Sequence, residues 1–412
     1  METRKRAGSL SSRAFGSHAK MRLWRHTAWG GRRENRIAPA LWVGAAILSI
    51  AGSFAQTSRA APAAMDVANR VAFCLEQSQI KDGARTGMWP SEPSFAGPPT
   101  TGVVCAYQWI GDSAYLQAAE LGGTYILWVG GSTGHLLGDE AYALAGLSEL
   151  SENPKENAWR AALSRFYENL HSPGGITTPE YINLLTQGDP SNNVFYLAHH
   201  TVAAYYVDDA DKEIWRTALI RCLASVDDRS NYPVQALGVA TWALAQTGEL
   251  GDTLVDSVDS GSYWSGVALK DLPELLLSHQ IPEGEPFAGS FYWHFEHPDS
   301  QTDVLAGGWT EDAIFGTLGL VAAASGRTGE DAERLRKAIE AAHGVLLQAS
   351  DADGRVFEHL SRIGSSYYTY GGELLQTLWA VQQYMDRVES AAAEAPGALP
   401  QQAPTGLSSH GP

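Results

Sequence analysis

Two pairs of neighbouring carboxylates carry the chemistry that is easiest to read in this 412-residue sequence: Asp139-Glu140 in GDEAY and Glu311-Asp312 in WTED. Each pair stands where a polar stretch gives way to an Ala/Leu/Gly-rich run, and so in the first turn of a helix. Carboxylates from two different helices can share glycosidic cleavage, one as acid and one as base or nucleophile, when about 5–10 Å separates them. The competing assignment is local: Asp139 and Thr310 would cap their helices while Glu311 and Asp312 complement the helix dipole. Asn193, Tyr232, Trp309, Tyr368, Tyr370 and Glu373 occupy leading positions of comparable runs. Aromatic faces for the apolar side of a sugar and amides or carboxylates for its hydroxyls make these candidate substrate-binding residues. Tyr367, Tyr368 and Tyr370 could alternatively donate a proton in a lyase, or only line a pocket.

The elements that would position them alternate in character. Runs apolar on nearly every face start at Thr100 (TTGVVCAYQWIGD) and span Gly138–Leu150, Asn192–Val207, Tyr232–Gly248, Trp309–Gly326 and Tyr368–Met385. Between them lie one-sided helices, Ala64–Gln77, Ser113–Trp128, Asn157–His171, Lys212–Val226 and Gly329–Gln348. Inner helices buried on both sides, alternating with half-exposed outer ones, predict an all-α protein: an α/α toroid of about six helix hairpins. The leading ends of the inner helices would then meet around one central cavity lined by aromatics and carboxylates. The domain is expected over residues 64–388, with an insertion at about 249–308 in which GSFYWHFEHP reads as a small β-hairpin. The Ala/Pro/Gln-rich segment 389–412 reads as a disordered tail.

The alternation, together with LEQSQIKDGARTGMWP, resembles the α/α-toroid superfamily of terpenoid cyclases, protein prenyltransferases and six-hairpin polysaccharide-degrading enzymes. Gln79, Gly83 and Trp89 follow loosely the Q-x-x-x-G-x-W element of squalene-cyclase-type repeats, and LLQASDADGRVF is a weaker echo. The resemblance implies a toroid over most of residues 65–388. A terpenoid-cyclase-like enzyme is a third, less favoured reading of that resemblance, because the cyclase motifs are missing. There is no D-x-D-D, Asp208-Asp209-Ala210-Asp211 inverts that order, and Glu213 stands where a D-D-x-x-D motif needs its last Asp.

Charge and composition bound the compartment and partners. Residues 1–64 hold eleven Lys/Arg against Glu2 and Glu34; the rest holds eighteen basic against forty-four acidic side chains. An acidic body repels phosphate polymers, so nucleic acid is not an expected partner. The basic head leads into the uncharged run IAPALWVGAAILSIAGSFAQTS, the pattern of a signal peptide or an uncleaved membrane anchor within residues 1–63. Either one exports the body. Cys74 and Cys105 would pair or be buried free thiols, with Cys222 alone in both cases. No Cys/His cluster suggests zinc, and no cofactor is expected. His294, Glu296 and His297 with Asp299 and Asp303 read as a polar cover rather than a metal site, and Asp351-Ala-Asp353-Gly354 as a turn. The expected function is an exported carbohydrate-active enzyme, a glycoside hydrolase or polysaccharide lyase; the alternative is a non-catalytic envelope toroid that binds a glycan or other small ligand.

Overall fold

The computed structural model describes residues 63–90, 96–150, 157–256, 263–296 and 307–394. The expected leader or anchor, together with His297, Asp299 and Asp303, lies outside the described residues. Those residues form thirteen α-helices. They are α1 (Ala64–Ser78), α2 (Gly97–Ile110), α3 (Ser113–Thr133), α4 (Gly138–Glu149), α5 (Ala158–Asn169), α6 (Thr178–Leu185) and α7 (Pro190–Val207). Then follow α8 (Lys212–Leu223), α9 (Pro233–Gln246), α10 (Leu272–Ser278), α11 (Thr310–Ala324), α12 (Gly329–Leu346) and α13 (Tyr368–Glu394).

Six of these, α2, α4, α7, α9, α11 and α13, each pack on the next, and α13 returns to α2, so the inner ring closes. The remaining long helices and α10 pack outside it, one per inner helix, while α6 is an extra piece against α7 and α8. The protein is an α/α toroid. Burial follows the expected alternation: every residue of α11 is buried, whereas outer helix α12 buries only Leu335, Ala338, Ile339, Ala342 and Leu346. That stripe has i, i+3, i+4 spacing, and each fully buried Ile or Leu in it contributes about 1.5–3 kcal/mol.

Glycine lets the inner helices approach closely. A Cβ on Gly102 of α2 would lie 2.4 Å from the Gly372 Cα of α13, and one on Gly238 of α9 would lie 2.5 Å from the Phe315 backbone of α11. Early turns meet early turns: Gly97 of α2 touches Asp139 of α4, and the Tyr232 N–H before α9 donates to Ser191 Oγ of α7 at 3.3 Å. The inner helices are therefore parallel, with their leading ends at one mouth.

Two matching staples tie outer helices together. The Gln79 amide donates to Gly87 O at 3.1 Å and to Ala118 O of α3 at 2.9 Å. The Gln280 amide donates to Gly289 O at 3.0 Å and to Ala338 O of α12 at 2.8 Å. Gly87 (φ 92°) and Gly289 (φ 91°) share a left-handed conformation, and buried Trp89 and Phe291 follow each at the same spacing. The Gln/Gly/Trp element of the N-terminal region thus has a counterpart at Gln280–Phe291, and LLQASDADGRVF echoes its glycine: Gly354 (φ 81°) is left-handed too, lies against the Arg70 backbone of α1, and is followed at the same spacing by buried Val356.

The expected β-hairpin is only partly covered by the described residues. Among them Phe291 and Tyr292 make isolated bridges, Gln280↔Phe291 and Tyr292↔Gly307, and no longer ladder. One expectation changes. Helix α13 runs to Glu394, into the stretch expected to be a tail, because AAAE keeps strong helix formers up to the proline at 396. All three cysteines are free thiols. Cys105 is buried within reach of Tyr142, while Cys74 is half-buried beside Ser78 and Asp351. The Asp351–Gly354 segment is a turn, its Asp351 carboxylate accepting from the Asp353 and Arg355 N–H groups at 2.9 Å each.

Candidate functional site: the acidic mouth of the ring

Asp139 and Glu140 open α4, and burial separates their roles. Glu140 turns back and accepts the Leu137 N–H at 2.9 Å, satisfying one of the helix's orphan donors. Asp139 is 2% exposed, and among the described residues neither of its carboxylate oxygens has a hydrogen-bond partner. Asp139 therefore does not cap α4. Burial pushes its carboxyl well above the ordinary range, with nearby backbone N–H groups opposing only in part. Glu140 is raised as well, by burial first and then by the Asp139 charge.

Leu136, just ahead of α4, is clamped from both sides. The Tyr181 hydroxyl donates to its carbonyl at 2.6 Å, and its N–H lies 3.1 Å from that same hydroxyl. His200 Nε2 reaches the carbonyl at 3.2 Å. The approach to α4 is thus held by a buried polar network.

Glu311 and Asp312 open α11, both buried. Thr310 does not cap this helix: its hydroxyl donates to Phe357 O at 2.6 Å and its N–H to Glu358 O at 3.0 Å. The bridge Trp309↔His359 continues this pairing, so the loop after α12 delivers Glu358 to the start of α11. Burial, then the Asp312 and Glu358 charges, raise Glu311 well above its usual range, while an amide hydrogen bond from Gln235 of α9 (3.4 Å) opposes.

Two phenols show that the helix starts converge. Tyr196 of α7 is raised by burial and by the charges of Asp139, Glu140 and Glu311, so one hydroxyl lies in the field of α4 and α11 together. Tyr370 of α13 is raised by burial and by Glu311, Glu358, Glu373 and Tyr232. Both phenols stay protonated at any ordinary pH. Half-buried aromatic faces surround these groups: Trp309 lies 5.9 Å from Trp293 and packs edge-on against His359 at 5.2 Å, while Tyr232 and Tyr368 are also half-buried.

Of the residues picked from sequence, the mouth gathers Asp139, Glu140, Tyr232, Trp309, Glu311, Asp312, Tyr370 and Glu373. Tyr368 begins α13 itself. Asn193 lies elsewhere: its amide donates to Gly188 O at 3.1 Å, and it lines an outer groove between α6, α7 and α8. Glu358, Tyr196 and Gln235 complete the mouth. Glu358 sits in a loop without periodicity, and Tyr196 a turn inside an apolar helix, so neither gave a sequence signal beyond its side-chain type. Deeper in the ring the axis is filled by aromatics: Phe195, His199, Trp242, Phe315 and Tyr142 contact one another at 4.5–5.5 Å. His199 is held neutral there, its pKa lowered to about 4 by burial. Among the described residues no three His, Cys, Asp or Glu side chains converge as metal ligands.

No family model and no curated protein matches the sequence. Solved structures do match. The GH76A alpha-1,6-mannanase of Salegentibacter sp. HEL1_6 is similar with a TM-score of 0.52 at 10% identity, covering 78% of this chain and 99% of that one. A polysaccharide lyase is similar with a TM-score of 0.52 at 15% identity, covering 78% of this chain and 97% of that one. An inactive variant of the mannanase, with two adjacent aspartates changed to asparagine and alpha-1,6-mannotriose bound, gives 0.50 at 11% identity over 78% and 99%. What such low identities establish is the architecture: this chain has the α/α-toroid fold that those carbohydrate-active enzymes have.

Proposed function

We propose that the chain is a carbohydrate-active enzyme, a glycoside hydrolase, acting at the mouth of the ring. The observation that carries this reading is that the first turns of two different helices bring buried acids to one mouth: Asp139, which has no hydrogen-bond partner among the described residues, and Glu311. Both lie in the field around the Tyr196 hydroxyl. A carboxyl kept protonated near neutral pH can give its proton to a leaving glycosidic oxygen. Glu311, raised by burial and two neighbouring carboxylates and hydrogen-bonded by Gln235, suits that part. Asp139 would act as base or nucleophile, and Trp309, Trp293 and Tyr232 would stack on sugar faces. The inactive mannanase variant lends support, since it lost activity through two adjacent acidic residues. This chain carries two such adjacent pairs at the mouth.

Hydrolysis is favoured over elimination. A lyase abstracts a proton beside a uronate carboxylate, and the acidic body, with eighteen basic against forty-four acidic side chains beyond residue 64, repels such a substrate. The expected leader would place this activity outside the cytoplasm. The test is a panel of neutral and anionic glycans assayed by released reducing ends, with Asp139→Asn and Glu311→Gln alongside. Cleavage abolished by both changes supports the reading; cleavage indifferent to both, or none on any glycan, overturns it.

A further inference from the structure

We infer that Asp228 is a positioning residue for sugar binding: its carboxylate anchors the segment after Trp293 and so fixes that indole beside Trp309 at the mouth. The inference rests on the glycan reading above and adds to that site a residue from outside the group of acids.

Asp228 lies in the turn between α8 and α9, which delivers Tyr232 and Gln235 to the mouth. One carboxylate oxygen accepts the Phe295 N–H at 2.6 Å and the other accepts the Glu296 N–H at 3.0 Å, across 67 and 68 residues of sequence. His294 Nδ1 stands 3.5 Å from the first oxygen. Hydrogen bonds from a backbone N–H to a carboxylate are among the stronger ones, and a fork of two oxygens fixes direction as well as distance. The fork matters because, among the described residues, 293–296 belongs to no helix and no ladder. Its N–H groups need acceptors from elsewhere, and Asp228 supplies them for two in succession.

Tyr292 bridges to Gly307, two residues before Trp309, and Trp293 lies 5.9 Å from Trp309, so the anchored segment borders the start of α11. Gln235 of α9 meets Glu311 of α11 at 3.4 Å, and Asp228 makes at a second point the link that these two helix starts make there. Ring packing holds the segment as well. Phe295 stacks on Tyr263 at 4.0 Å and meets Trp264 edge-on at 5.5 Å, while the Trp264 indole donates to Val226 O at 2.8 Å. That packing should keep the segment on the protein in the absence of Asp228. What the carboxylate adds is the register of the backbone that carries Trp293, and a stacking face fixed in advance spares the ligand the cost of ordering it.

The experiment compares Asp228→Ala, Asp228→Asn, Trp293→Ala and the double variant Asp228→Ala/Trp293→Ala on the best substrate of the glycan panel, beside amide hydrogen exchange of the same proteins. Asp228→Ala is expected to raise KM about three- to tenfold, the worth of ordering one large side chain, with kcat within about twofold. Asp228→Asn, which keeps one acceptor oxygen, should fall between the parent and alanine. Added to Trp293→Ala, Asp228→Ala should change KM by less than about twofold, because the indole it positions is gone. The Phe295 and Glu296 amides should exchange at least about tenfold faster in Asp228→Ala, while the core helices keep their protection. Unchanged exchange at those amides overturns the anchor whether or not a glycan is cleaved. An unchanged KM, a loss confined to kcat, or fully additive effects in the double variant each overturn the inference alone and leave the glycan reading intact. Failure of every glycan to be bound or cleaved overturns the glycan reading and takes the sugar-binding role of Asp228 with it.

Discussion

Two buried polar regions lie a few residues apart in the fold and are built on opposite terms. Around His200 both ring nitrogens have partners. Its Nε2 faces the Leu136 carbonyl at 3.2 Å and so must be the protonated nitrogen, its Nδ1 faces the Tyr167 hydroxyl at 3.1 Å, and its ring stacks on Trp215 at 4.5 Å. At the mouth, Asp139 is as deeply buried and has no hydrogen-bond partner among the described residues. A satisfied network rigidifies a fold, whereas an orphaned acid costs stability unless something outside the protein meets it. The first region is therefore a support that holds the approach to α4, and the second is what it supports.

Replacing Asp139 by Asn should produce the largest effect on activity. We expect a loss of about 10²–10⁴-fold in kcat/KM, the usual worth of a positioned acid or base, with a melting temperature unchanged or raised. Initial rates on the best glycan together with a thermal scan check this. Activity within about threefold of the parent would place the mouth outside the chemistry. His200→Ala should show the converse: a stability loss of roughly 2–4 kcal/mol from the cavity and the two lost hydrogen bonds to Leu136 and Tyr167, read by urea unfolding. The folded fraction should keep its kcat/KM within about tenfold.

Much of this contrast was readable in the sequence, but unevenly. The alternation of all-apolar and one-sided helices gave the ring, and the first-turn position of Asp139 and Glu311 gave the mouth, because helix periodicity and caps are local. What was not local was lost. GSFYWHFEHP reads as a strand because its aromatics are dense, yet its first residues belong to a staple set by Gln280 bonding to a helix far along the chain. Thr310 looks like a cap by type and is spent instead on Phe357 O. Asn193 shares the helix-start position of the others, but its side chain turns to Gly188 and the outer groove. Helix α6, from TTPEYINLL, is too short for periodicity to declare it.

The two regions should also tilt the pH dependence of stability in opposite directions. His199 and His200 are lowered from 6.5 to about 4 and about 3 by burial. The unfolded chain therefore takes up protons below 6.5 that the folded chain refuses, and stability present above 6.5 is lost as pH falls. Asp139, Glu140 and Glu311 are raised, so the folded chain keeps protons that the unfolded chain has released. Their contribution is full below the ordinary carboxylate range and lost as pH rises through the raised values. Each proton is worth up to about 1.4 kcal/mol per pH unit. Unfolding free energies measured from pH 4 to pH 9, a range on the order of the titrations involved, should flatten on the alkaline side only in Asp139→Asn and on the acid side only in His200→Ala. Matching profiles for the two variants would erase the distinction.

The finest cut falls inside one pair. Glu140 differs from Asp139 in having a structural partner, the Leu137 N–H, and Gln at that position keeps an oxygen to accept it. Glu140→Gln should therefore change stability by less than about 1 kcal/mol, the usual scale of a cap. It should lower kcat/KM by less than about tenfold, against the hundredfold or more expected for its neighbour. Both are measured on the same preparation. A loss in Glu140→Gln equal to that in Asp139→Asn would show that the adjacent acids act as one proton-sharing unit, because removing either member of such a unit removes the function of both.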